Sequence, residues 1–212
     1  MFIGIGGNGN GYRSINTNSE QYKAAARDHL AAHRAEVAMM TPEERMLYEM
    51  LGGEEGYMKN VMKRYDSEGY LLNSSGVAGM CVNGIPESQR HQIINISEEA
   101  RQSMYEETMR HFIQEKGVAN GDTTRRSEVY TKFQLSIPKE DRLKGTWTLQ
   151  QYETAYRQAF YDAIKASDPN WELGRPFDSS ILRNLSREDI DNSLVRSGNR
   201  LLLPRNTIDC TV

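Results

Sequence analysis

Residues 147–167, WTLQQYETAYRQAFYDAIKAS, constrain the fold more than any other stretch of the chain. Leu149, Tyr152, Tyr156, Ala159, Phe160, Ala163 and Ile164 recur at intervals of three and four, which aligns them on one face of an α-helix. Thr148 followed by Gln151 has the form of a capping box, in which side chains satisfy amides left without partners at a helix start. Ser167, Asp168 and Pro169 close the other end, because proline removes a donor and clashes with the preceding turn. The spacing therefore predicts a core helix over 148–167, flanked by Trp147 and Trp171. The remaining segments must supply the surfaces that cover it.

They have the length to do so. A chain of 212 residues with 38% hydrophobic content buries a sizeable core, although a mean hydropathy of −0.70 is on the polar side. A net charge of −3 and a pI near 5.9 give no broad positive field. That weighs against nucleic acid, whose binding rests on neutralising phosphates, and against an anionic membrane surface. Proteins are the partners that the composition leaves open. No apolar run approaches the ~20 residues of a membrane span. The opening MFIGIGGNGNGYRS lacks the basic and apolar regions of a signal peptide, so cytoplasmic residence is expected. Cys81 and Cys210, 129 positions apart, read as separate reduced thiols.

Residues 1–18 contain five of the seventeen glycines and read as a flexible arm. GIGGNG at 4–9 matches the glycine pattern of dinucleotide loops, which requires a strand before it and a helix directly after it. Only three residues precede Gly4, coil-like sequence follows, and Asp28, at the distance of a ribose-binding carboxylate, falls within a predicted helix. No nucleotide or other cofactor is expected. Helices are predicted over about 20–40, from the capping signal Thr41-Pro42-Glu43-Glu44 to Gly52-Gly53, and over 54–65. Tyr70–Leu72 and Val77–Val82 read as short strands, with Asn83-Gly84 as a turn. Ser97 caps a helix over 98–116 that ends at Gly117. Val129, Thr131, Phe133, Leu135 and Ile137 alternate and so predict a strand, with a helix from Ser127 as the competing reading. Ser186 caps a short helix ending near Gly198.

The expected fold is α+β and predominantly helical, with about five to six helices, a small antiparallel sheet, one domain over 19–203 and a tail at 204–212. INISEEAR at 94–101 is similar to a short motif of flagellar anti-sigma regulators. It is equally a strand leading into a capped helix, and no activity follows from it.

Several residue groups are candidates for chemistry. His29, His33 and Glu36, at i, i+4 and i+7, can reach one metal ion from a helix face. The glutamate of an H-E-x-x-H motif is missing, so a solvated face is the simpler reading and no metal is expected. Cys81 in GMCVNG, with His91 ten residues on, is the pair that fits nucleophilic catalysis. Val77, Met80 and Val82 around it suit an inert cysteine in a buried strand. Glu98, Glu99, Glu106 and Glu107 share one helix, but acid–base use requires burial that separates their pKa values. Arg125-Arg126 with Tyr130 and Lys132 is a small basic patch. The terminal Cys-Thr-Val suits addition to a sheet edge through its carboxylate.

Six of the ten methionines lie between Met39 and Met62. Met39, Met46, Met50, Met58 and Met62 either fill gaps between three short helices or form an adaptable contact surface. Two functions follow. One is a non-catalytic protein-interaction or assembly protein that uses these methionines and flexible termini, with its oligomeric state open. The alternative is a small hydrolase or transferase centred on Cys81 and His91.

Overall fold

The computed structural model describes residues 20–68, 70–82 and 85–204. The glycine-rich arm, the Asn83-Gly84 turn, Cys210 and the terminal carboxylate lie outside the described residues. The chain packs as two compact units that divide after Cys81.

The first unit consists of α1 (Glu20–Ala38), α2 (Pro42–Met50), α3 (Gly53–Met62) and a looped segment to Cys81. The start of α2 follows directly from its sequence. The Thr41 hydroxyl accepts from the Glu44 amide at 3.3 Å, and the Glu44 carboxylate accepts from the Thr41 amide at 2.8 Å. Pro42 takes a position whose amide would have no helical partner. Gly52, with φ of 100°, turns the chain into α3 through a conformation that a β-carbon disfavours. The apolar core of this unit is small. Its cluster is buried Met62 and Tyr65, with Met58, Val61 and Leu71 against them, and Val77 and Ala78 are buried apart from it.

Strands do not form at 70–72 and 77–82. The buried Asp66 accepts from the Glu68 and Tyr70 amides, both at 2.9 Å. Asn73 accepts from the Ser75 and Val77 amides at 3.0 and 2.8 Å. These side-chain turns take amides that a ladder would use. Only the isolated bridges Tyr65–Leu71 and Leu72–Ala78 remain of the expected pairing among the described residues.

The second unit contains α4 (Glu87–Arg90), α5 (Glu98–Glu115), α6 (Thr124–Ser136), a 3-10 turn (Lys139–Asp141), α7 (Arg142–Ser167), α8 (Ser180–Arg183) and α9 (Arg187–Ser193). A hairpin of β1 (Val195–Ser197) and β2 (Arg200–Leu202) follows, antiparallel, with Val195 opposite Leu202. The core is built on α7. Leu149, Tyr156, Ala159, Phe160 and Ile164 are wholly buried, and the Phe160 ring meets Tyr105 at 5.3 Å and Phe112 at 5.7 Å edge to face. Trp171 closes the far end against Tyr161 and Phe177. Ser97 caps α5 by accepting from the Ala100 amide at 3.2 Å, so INISEEAR is the capped entry to that helix. Lys116 and Gly117, at φ of 57° and 73°, end it.

Several expectations are corrected here. Residues 129–137 form no strand: α6 buries Tyr130, Phe133 and Gln134 at helical spacing, while Leu135 faces solvent at 59% exposure. The core helix starts at Arg142 instead of 148, and Thr148 does not cap it. Buried in mid-helix, the Thr148 hydroxyl donates to the Lys144 carbonyl at 2.9 Å and accepts from the Ile94 amide at 3.1 Å. The C-terminal helix α9 stops at Ser193 because Gly198, at φ of 58°, is needed to turn the hairpin. The small sheet therefore exists, but at 195–202 instead of 70–82. Nine α-helices among the described residues exceed the five or six expected, because several are single short turns. No helix of the described residues is long and apolar enough to cross a membrane.

Candidate functional site

The histidines expected on a solvated face of α1 are engaged. His33 is 6% exposed, stacks on Tyr57 with ring centroids 3.5 Å apart, and reaches the Tyr48 hydroxyl from Nε2 at 3.2 Å. His29 Nε2 lies 2.7 Å from the Tyr65 hydroxyl. Glu36 stays exposed, 3.6 Å from His33 Nδ1. No group of three or more metal-ligating side chains occurs among the described residues. The histidines instead tie α1 to α2 and α3, which offsets the small apolar core.

Cys81 ends the first unit half-buried, near enough to the Tyr65 phenol to help raise its pKa, although burial is the larger cause. His91 belongs to the second unit. Its ring stacks on Trp147 at 3.9 Å, and Nε2 lies 3.2 Å from Arg90 Nη1. The Trp147 indole donates to the Asn199 carbonyl, so the stack closes one side of the hairpin.

The methionines divide sharply. Met62 is wholly buried and Met58 packs beside it, whereas Met39, Met46 and Met50 are 87%, 64% and 75% exposed. Leu47 and Leu51, which sequence reasoning did not single out, stand at 56% and 73% beside them. No residue of α2 is buried. The reason is orientation. Tyr48 and Arg45 face the rest of the unit, Tyr48 toward His33 and Arg45 donating to the Val37 carbonyl at 3.1 Å. At about 100° per residue, Met46, Leu47, Met50 and Leu51 then point the other way. An amphipathic helix ordinarily turns its apolar stripe inward; α2 turns it outward. The i, i+1, i+4, i+5 spacing of that stripe was visible in the sequence, but its direction was not.

The second unit offers a polar cleft of about 300 Å³ between α5, the loop after it, α6 and α7. Each of the four carboxylates in its wall, Glu107, Glu115, Asp122 and Glu153, is held. Arg110 grips Glu107 at 2.6 and 2.7 Å and Glu115 at 2.9 Å. Arg126 makes a two-pronged bond to Glu153, 2.7 Å on each arm, and the Tyr130 hydroxyl donates to the same carboxylate at 2.7 Å. Burial, with the adjacent Glu153 charge, pushes the Tyr130 phenol far above its usual range. The Thr124 side chain and amide hold the Asp122 carboxyl below its ordinary value. Burial, and after it the Arg157 charge, lower the His111 pKa from its ordinary 6.5. Glu107, Glu115 and Glu153, bound to guanidinium groups, form an ionic brace.

The acidic residues of α5 expected on the surface have similar fates. Glu98 pairs with Arg187 at 2.7 Å, Glu106 accepts from Gln102 at 2.8 Å, and the Glu99 carboxyl is held low by its own amide and Ser97. The basic patch loses one member, since Arg126 is bound to Glu153 and lies over Tyr130 at 4.8 Å.

The described residues thus define a two-unit helical protein with an outward apolar helix on one unit and an ionic brace in the other. The chain belongs to the family described as a domain of unknown function (DUF3879), whose model matches residues 15–212. No curated protein and no solved structure matches it.

Proposed function

We propose that this chain is a non-catalytic protein-interaction or assembly protein whose contact surface is the outward stripe of α2. The observation that carries this reading is that α2 buries none of its residues while exposing Met46, Leu47, Met50 and Leu51 side by side. Contiguous exposed apolar side chains on a soluble domain mark contact surfaces, and scattered ones do not. Methionine suits the role because its unbranched, polarisable side chain adapts to the surface it meets. Met39, just beyond α1, extends the same apolar character, and Met58 and Met62 support the unit from inside.

The test is a photo-crosslinking residue placed at Leu47 or Met50 in the cells that make the protein. A discrete protein adduct from both positions is expected, lost when Met46→Ser is added. The same residue at Gln158, on the exposed side of α7, should give none. Absence of an adduct from the α2 positions, or equal adducts from all three, would sink the reading.

A further inference from the structure

The rim of the α2 stripe says what kind of partner fits it. Between Glu36 and Glu55 the chain carries six glutamates, one arginine and no lysine. Arg45, the one cation, turns away from the stripe and donates to Val37. Of the glutamates, Glu54 is paired with Arg34 at 2.7 Å. Of the others, Glu43, Glu44 and Glu49 stand on α2 itself, with the stripe.

Their placement follows from helix geometry. With about 100° between successive residues, the four apolar side chains span about 140° of α2. Glu49 stands about 60° beyond Met46 on one flank, and Glu44 about 20° beyond Leu51 on the other. Glu43 lies within the stripe's own sector one turn earlier. The apolar face is therefore bounded by carboxylates on both sides and at its N-terminal end.

We infer that this face receives a basic amphipathic helix of another protein, its apolar side on Met46, Leu47, Met50 and Leu51 and its lysines or arginines against Glu43, Glu44 and Glu49. This inference rests on the interaction reading above and adds the partner's chemistry. α2 has nine residues, about two and a half turns, and its stripe from Met46 to Leu51 rises about 7.5 Å, which matches two anchor side chains of a partner helix at i and i+3 or i+4. A second copy of this chain would bring the same carboxylates face to face, and like charges across an interface oppose association. An anionic lipid surface meets the same repulsion. A basic helix removes that opposition and gains attraction at the rim, which raises the rate of encounter most at low salt.

The experiment uses the full chain and a synthetic amphipathic peptide of leucine and lysine, labelled for fluorescence anisotropy. Its comparator is a leucine and glutamate peptide with the same apolar pattern. Saturable binding of the lysine peptide alone is expected, weakening as salt rises. Combining Glu43→Gln with Glu49→Gln should loosen it about fivefold, the scale of two rim ion pairs. Met46→Ser with Met50→Ser should loosen it more than tenfold. Glu44 is left intact because it caps α2. Circular dichroism verifies that the variants fold, as exposed positions allow.

Equal binding of both peptides, lost only in the methionine variants, overturns the charge inference and leaves the interaction reading standing. A concentration-dependent dimer abolished by the same methionine variants, with no peptide binding, means that the occupant is a second copy. Binding of the lysine peptide that survives the methionine variants places it elsewhere on the acidic surface and overturns the proposal. No binding of either peptide and no self-association overturns the inference, and the crosslinking result then decides the wider reading separately.

Discussion

The first unit is held together by named polar contacts around a small apolar core, and the second by a dense aromatic one. In the second, α7 alone buries Leu149, Tyr156, Phe160 and Ile164 completely, and rings from α5 meet it edge to face. In the first, the buried apolar cluster is Met62 and Tyr65. Its three helices meet through His33 on Tyr48 and Tyr57 and through Arg34 on Glu54, and His29 ties α1 to Tyr65 just after α3. The contrast separates two uses of hydrophobic residues. One unit spends its apolar residues on stability; the other leaves a helix's worth of them facing out and relies on directional contacts instead. Segments with few buried apolar contacts open at the lowest free energies, and binding elements are drawn from such segments.

That comparison makes graded predictions. Phe160→Ala in the second unit should cost about 3–5 kcal/mol, the range for emptying a buried aromatic site, measured as a shift of the denaturant midpoint at unchanged slope. A loss below 1 kcal/mol would mean that α7 is not the centre of that core. Glu153→Gln should cost about 2 kcal/mol, because it weakens charge-assisted bonds to Arg126 and Tyr130 while preserving shape. The exposed half of Arg126 limits the effect, and a tyrosine absorbance titration should show the Tyr130 phenol ionising more easily.

His33→Ala should cost about 1 kcal/mol, the scale of one aromatic pair. It should raise amide exchange in α1 and α3 while leaving α5 and α7 protected. Uniform loss of protection across both units would erase the distinction drawn here. A smaller effect concerns pH. The folded-state pKa of His111 is lowered by burial and by Arg157, so on acidification the unfolded chain takes up this proton first. Stability should therefore be complete above pH 6.5 and decline as pH falls below it. Arg110, Arg157, Glu115, Asp122, Arg126 and Glu153 all border the cleft with His111. The contribution of the histidine is isolated by comparing His111→Gln, which should flatten that part of the curve. A steeper slope in the variant would contradict the assignment. Smallest of all, Met50→Ser should change stability by less than about 0.5 kcal/mol, as exposed substitutions do. A loss near that of Phe160→Ala would show that α2 is covered within the folded chain.

The parts of the fold legible in the sequence were those governed by local rules. Thr41, Ser97 and Ser186 each cap the helix expected of them, and the α7 stripe is buried as its spacing required. The failures share a cause. Alternation at 129–137 suggested a strand, but of that set only Phe133 is buried, with Val129 and Ile137 partly buried against the core and Leu135 exposed, and Glu153 on another helix fixes α6 through Arg126 and Tyr130. Thr148 resembled a cap because the partner it serves, the Ile94 amide, is fifty-four residues away. The direction of the α2 stripe depended on Tyr48 finding His33. Contacts distant in sequence decide such questions, and no local pattern records them.

The polar contacts of α7 carry one more consequence. Its buried face nearly repeats every four residues: Ala155, Ala159 and Ala163 in one row, Tyr152, Tyr156, Phe160 and Ile164 in the next. Sliding the helix by one such step, about 6 Å, would put alanine where alanine was and ring where ring was. Apolar packing alone discriminates weakly between the two alignments. The polar groups do not repeat. A shifted Thr148 would abandon the Ile94 amide, a shifted Glu153 would desert Arg126 and Tyr130, and a shifted Tyr156 would leave Asp191, to which its hydroxyl donates at 2.7 Å. Three side chains thus act as the teeth of a ratchet, set at separate points along α7, that stop it in one alignment.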